Sequence, residues 1–183
     1  MKKIFLLLTA LIILAAGCFA ATYPRWKVMP VKVYIPPYGD YTVLMKRAFS
    51  IWESMSNGTI KFKYVARQAD SDIYIGFVDH VTACNDGNSV GCAVSTTTNG
   101  YFVQNYIEIG TKDTRMVSVN GKIQKRDVQR SPEHIYGVML HEIGHALGLG
   151  HSEDPDSLMY AYDREEFQKI TKSDLKLLYD KYR

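Results

Sequence analysis

The chain has 183 residues, enough for one domain with its own core and too few for two ordinary ones. Hydrophobic residues at 46% and charged residues at 22% exclude a disordered chain. The 22 Lys and Arg against 19 Asp and Glu leave a net charge of +3, and Lys2 and Lys3 supply two of those charges, which excludes the strongly basic balance of a nucleic-acid binder.

Residues 1–20 read as a secretory signal. Lys2 and Lys3 precede an uncharged apolar run over residues 4–16, and small residues suited to cleavage follow: Gly17, Cys18, Ala20 and Ala21. The run is short of the ~20 residues that a membrane-spanning helix needs. Ala15-Ala16-Gly17-Cys18 also resembles a bacterial lipobox, in which cleavage ahead of Cys18 leaves that cysteine to carry lipid. Leu is usual where Ala15 stands, and cleavage after Ala20 or Ala21 would discard Cys18. Lipid anchorage and free secretion both stay open, and either route exports a domain over residues 22–183, extracellular or periplasmic.

Residues 31–35 alternate as a strand and stop at Pro36-Pro37. A helix is predicted over 41–55 from the spacing of Leu44, Ala48, Trp52 and Met55, ended by Asn57-Gly58. Strands are predicted over 60–65 and 72–78. Cys84 and Cys92 flank a short loop with Asn85, Asp86, Gly87 and Gly91, and in an oxidising compartment they would form a disulfide; two free thiols are the alternative. Shorter strands are predicted over 91–96 and 105–109. Residues 111–130 are polar, with a hairpin over 117–124 centred on Asn120-Gly121. Ser131-Pro132-Glu133 opens a helix that runs to about Leu147. A last helix starts near Thr171, with Asp174 completing a capping box and a stripe of Leu175, Leu178, Tyr179 and Tyr182. Strand, helix, four strands and two helices make an α+β single domain, a monomer by default.

The informative stretch runs from His141 to His151. His141 and His145 are four apart on a helix, so their imidazoles share one face and can share a metal. Glu142 lies beside them, placed to reach a water on that metal without being a ligand. On a continued helix His151 would lie about 15 Å along the axis from His141. Gly148 supplies a break, because glycine takes left-handed backbone freely, and Gly150 adds a second flexible point. His151 can then return as third ligand. Three imidazoles with one open position make a catalytic zinc arrangement, with Glu142 as general base and acid.

This stretch resembles the metzincin zinc peptidases, and among them the matrixins, the family of matrix-metalloproteinase catalytic domains. Ser152 after the third histidine and Ser157-Leu158-Met159-Tyr160 downstream match the matrixin form, with Met159 as the methionine of the Met-turn. Trp26, the 31–35 strand, Ala48, Phe49, Trp52, the 72–78 strand and residues 170–179 extend the resemblance over nearly the whole mature chain. It implies a twisted five-stranded, mostly parallel sheet with three helices and a cleft over the zinc. Peptide substrates would lie beside an edge strand near residues 91–95, which puts Gly91, Cys92 and Ala93, with Tyr160 and Tyr162, among the substrate contacts.

The sequence also departs from the family. No pro-segment with an inhibitory cysteine is visible, so a cysteine switch is not expected. His80 and His134 read as ordinary polar or partly buried histidines, and a second zinc is not expected. Calcium, which the family binds, would have only loop carboxylates such as Asp86, Asp113, Asp154 and Asp156. Ala161 replaces the family's Pro and Tyr162 comes one place early, so substrate preference is not carried over. Two functions are compatible with these residues: a zinc endopeptidase acting on extracytoplasmic proteins or peptides, and a non-catalytic lipoprotein that uses the same scaffold to bind a protein partner.

Overall fold

Alternation of apolar and polar residues sets the sheet, and one very apolar helix sets the core. The computed structural model describes residues 24–84, 87, 89–164 and 168–183. The expected signal with Cys18 lies outside the described residues, as do Asn85 and Asp86. Strands β1 (Val31–Tyr34), β2 (Phe62–Tyr64), β3 (Ile73–Val78), β4 (Gly91–Thr98) and β5 (Tyr101–Gly110) form one sheet in the order β2-β1-β3-β5-β4. The β1–β2, β1–β3 and β3–β5 pairs are parallel, and β4 is antiparallel to β5 with its far edge open. Helices α1 (Asp40–Met55), α2 (Pro132–Ala146) and α3 (Lys172–Tyr182) complete the α+β fold expected of the family.

The core lies between the sheet and the helices. Val31, Val33, Ile73, Ile107 and Ile109 meet Met45, Phe49 and Trp52 of α1 and Ile135, Met139 and Ile143 of α2, all fully buried. Each such side chain contributes roughly 1.5–3 kcal/mol by leaving water. Trp52 Nε1 donates to Leu140 O at 2.9 Å, tying α1 to α2 without leaving its indole N–H unpaired. Eleven residues of α2 are buried, Glu142 and His134 among them, so the helix carries polar groups through the middle of the molecule.

Two differences from the sequence reading have a common cause. The polar stretch 111–130 is almost wholly paired: β6 (Lys112–Val119) and β7 (Lys122–Gln129) form a separate two-stranded ribbon, far longer than the expected 117–124 hairpin. β5 is twice the expected length. In both places strand residues face water on one or both sides, so burial imposes no alternation that a sequence could display. The turn itself was legible: Asn120 and Gly121 both have positive φ, as a two-residue hairpin requires, and Asn99-Gly100 turns β4 into β5 in the same way.

Candidate active site

The end of α2 builds the site. Ser131 Oγ accepts from His134 N at 3.2 Å, which fixes the start of the helix, with Pro132 in its first turn. At the other end Gly148 N donates to His145 O at 2.8 Å and Leu149 N to Gly144 O at 3.0 Å, the Schellman pattern. Gly148 has φ +87°, and a Cβ there would also collide with the carbonyl oxygen of Pro24. Carbonyls left over at this terminus are met from elsewhere. Trp26 Nε1 and Asn105 Nδ2 donate to Ala146 O at 2.8 and 3.2 Å, and Tyr182 Oη donates to Leu147 O at 3.1 Å.

The turn returns His151 to the face that bears His141 and His145. One ligand-capable atom from each of the three imidazoles lies within 4.8 Å of the others. His145 Nε2 and His151 Nε2 are 3.1 Å apart. His141 Nδ1 donates to Leu158 O and His145 Nδ1 to Leu149 O, both at 2.8 Å. A carbonyl accepts only, so Nδ1 carries the hydrogen and Nε2 turns an unprotonated lone pair inward. Burial, then the facing imidazoles, push His145 down to about 3, and burial holds His141 below its ordinary value. Three converging imidazole nitrogens make a donor set that fits zinc.

Glu142 is 5% exposed, and burial pushes its carboxyl up to about 8. It lies against Gly91 of β4: a Cβ at Gly91 would come within 2.7 Å of Glu142 Oε1 and 2.6 Å of Val138 Cγ1. The glycine thus lets the edge strand approach the helix. Between them runs a cleft of about 690 Å³. Gly91, Cys92, Ala93, Tyr160 and Tyr162 all line it with the three histidines and Glu142, so every cleft residue expected from the sequence is brought together. Tyr162 is 72% exposed at its mouth. Cys92 is bonded to Cys84, closing the loop ahead of the edge strand. Glu108, opposite Cys92 in register, accepts from Thr82 N at 2.6 Å, Ala83 N at 2.8 Å and Tyr106 Oη at 3.0 Å, which holds that loop to β5.

Three supporting residues escaped sequence reasoning. Gly144 lies directly over Met159: a Cβ there would collide with the Met159 sulfur, so the residue just before His145 must be small. Asp174 is fully buried and does more than cap α3. It accepts from Ser157 Oγ at 2.5 Å and Leu158 N at 3.1 Å as well as from Thr171 N at 2.8 Å. His134 is buried with Nε2 2.8 Å from Asp163, a residue of the cleft wall. Burial works against the Asp163 charge, but His134 and Arg130 hold that carboxyl below its ordinary range. His80 is partly exposed, 3.1 Å from Asp127. Asp113, expected in a loop, lies in β6 because residues 112–129 pair as a ribbon, and it pairs with Arg115 and Arg130; Asp154 accepts from Asp156 N.

Comparison with known proteins gives the same answer from the sequence side. The matrixin family model (peptidase M10) matches residues 26–183. Metalloendoproteinase 1-MMP of Arabidopsis thaliana is 29% identical over 72% of this chain and 34% of its own length. Macrophage metalloelastase of Rattus norvegicus is 25% identical over 66% of this chain and 23% of its own. Matrix metalloproteinase-A of Caenorhabditis elegans is 52% identical over 40 residues, 22% of this chain and 8% of its own. The chain therefore spans about a third or less of the length of these relatives. The matched region takes in the whole α+β domain and its histidine cluster, and the chain belongs to the matrixin family.

Proposed function

We propose that this chain is a zinc-dependent endopeptidase that cuts proteins or peptides outside the cytoplasm. The observation that carries this reading is the convergence of His141, His145 and His151, with the imidazole hydrogens of His141 and His145 turned outward, beside a buried carboxylate and an open strand edge. Zinc in that site would supply a Lewis acid that acidifies a water and polarises the scissile carbonyl. Glu142, raised by burial, is basic enough to take the proton of the attacking water on its carboxylate oxygen and acidic enough to release it to the leaving amide nitrogen. The open edge of β4 offers backbone groups to an extended substrate, which would add to the sheet as a further strand. Tyr160 and Tyr162 face it across the cleft. Export is supported by the basic-then-apolar pattern of residues 1–20 and by the Cys84–Cys92 bond, which needs an oxidising compartment.

The test is cleavage of unstructured casein by wild type, by wild type with a zinc chelator, and by Glu142→Gln. Activity in the first alone, with one zinc retained by Glu142→Gln, is the expected result. A folded, zinc-loaded wild type that cuts nothing would leave the scaffold as a binding module.

A further inference from the structure

The β6–β7 ribbon has no part in the site or the main sheet. Among the described residues its fastenings lie at its base. Lys112 N donates to Asp79 O at 3.0 Å and Lys112 Nζ lies 2.7 Å from the Asp79 carboxylate. Gln129 Nε2 donates to Tyr41 Oη at 2.6 Å, and Arg130 joins Asp113 to Asp163. Beyond the base, residues 115–126 carry Arg115, Lys122, Lys125 and Arg126 and no acidic residue. The register sets Arg115 directly opposite Arg126, a like-charge pairing that costs stability in an isolated hairpin. Met116 faces Lys125 and Ser118 faces Ile123, so Met116 and Ile123 are diagonal neighbours on one face, 68% and 65% exposed.

We infer that this ribbon is an arm that docks on an anionic lipid bilayer. Its two unexplained features, an apolar pair in water and cations that outnumber acids even with Arg115 paired to Asp113, are answered together by one surface. Side chains such as Met116 and Ile123 enter the boundary between head groups and acyl chains, about 5–10 Å deep, while Lys125 on the same face meets the anionic head groups. A ribbon is one sheet thick, so the cations on its other face stay within a Debye length, about 8–10 Å, of a surface touching the Met116–Ile123 face. A soluble acidic protein would match the charges but gives no reason for the exposed apolar pair.

The inference needs neither peptidase activity nor a lipid anchor, and its test excludes both. The mature domain over residues 22–183, which lacks both Cys18 and the apolar run of the signal, is mixed with vesicles of phosphatidylcholine alone or with phosphatidylglycerol, and the bound fraction is read by sedimentation. Binding to the anionic vesicles, weakened by salt, is expected. Each cation near the surface is worth about fivefold, so Lys122→Gln/Lys125→Gln/Arg126→Gln together should lower partitioning about a hundredfold. Met116→Ser/Ile123→Ser should lower it about tenfold or more. All these positions are exposed, and an unchanged unfolding midpoint certifies each variant. Equal binding to both vesicles, or to neither, overturns the inference. So does full binding by Met116→Ser/Ile123→Ser, which would leave a patch for a soluble acidic partner.

Discussion

Asp174 accepts the backbone N–H of Leu158 at 3.1 Å, and the carbonyl of that same Leu158 accepts from His141 Nδ1 at 2.8 Å. The first turn of α3 thus holds an imidazole of the candidate metal site through the backbone of a single residue. The same carboxylate accepts from Ser157 Oγ, whose oxygen accepts from Met159 N at 3.0 Å. Asp174→Asn should therefore cost about 1.5–3 kcal/mol of stability, as expected for hydrogen bonds to a buried charge. Because it loosens an outer partner of a ligand, zinc affinity should also fall about 10–100-fold. Denaturant unfolding and competition against a chelating dye would check both. Lost stability with unchanged zinc affinity would reduce Asp174 to a helix cap.

Gly91→Ala separates the base from the metal. The added methyl must displace Val138 or Glu142, while no histidine lies in its path. A shift of Glu142 of about 1 Å should lower kcat/KM about a hundredfold. Bound zinc, measured by atomic absorption, should stay at one per chain.

Gly148→Ala acts on the ligand instead. A side chain at φ +87° is strained, and the Pro24 carbonyl blocks the space. Zinc content should drop, as for His151→Ala, and stability should fall by at least about 1–2 kcal/mol. Zinc binding like that of wild type would mean that the turn tolerates a Cβ and that His151 is placed by other contacts.

Opening the Cys84–Cys92 bond frees a short loop, worth about 2–3 kcal/mol in chain entropy. Cys84→Ser/Cys92→Ser should lose that much in urea unfolding. The edge strand beside the cleft should loosen with it, so KM for a peptide should rise more than kcat falls.

Glu108 gives the acid limb of stability a definite source. Burial opposes its ionisation, but the N–H groups of Thr82 and Ala83 and the Tyr106 hydroxyl outweigh it and hold the carboxyl below its ordinary 4.5. A carboxyl with a lowered folded pKa binds fewer protons folded than unfolded, so stability rises with pH across that interval. The contribution is whole above about 4.5 and is lost as pH falls through the folded value. Glu108→Gln should destabilise the domain at pH 7 and remove that part of its loss between pH 5 and 3. Parallel wild-type and variant curves over this range would place the acid sensitivity elsewhere.

Local spacing already carries part of this site. A spacing of four from His141 to His145 fixes one helical face, and a glycine at 148 permits the turn that returns His151. Asn120-Gly121 fixes a turn, Ser131-Pro132 a helix start, and Thr171 with Asp174 another. Each is a short-range rule of backbone geometry, met within a few residues. Tertiary structure alone decided which distant groups complete the site. Gly91 lies 51 residues before the Glu142 it admits, Gly144 is small because Met159 arrives from another turn, and Asp174 reaches His141 through Leu158. Such contacts follow from close packing between elements, and sequence spacing carries no trace of them. The extent of the β6–β7 ribbon was hidden for the opposite reason: exposed on both faces, it packs against too little to impose a pattern.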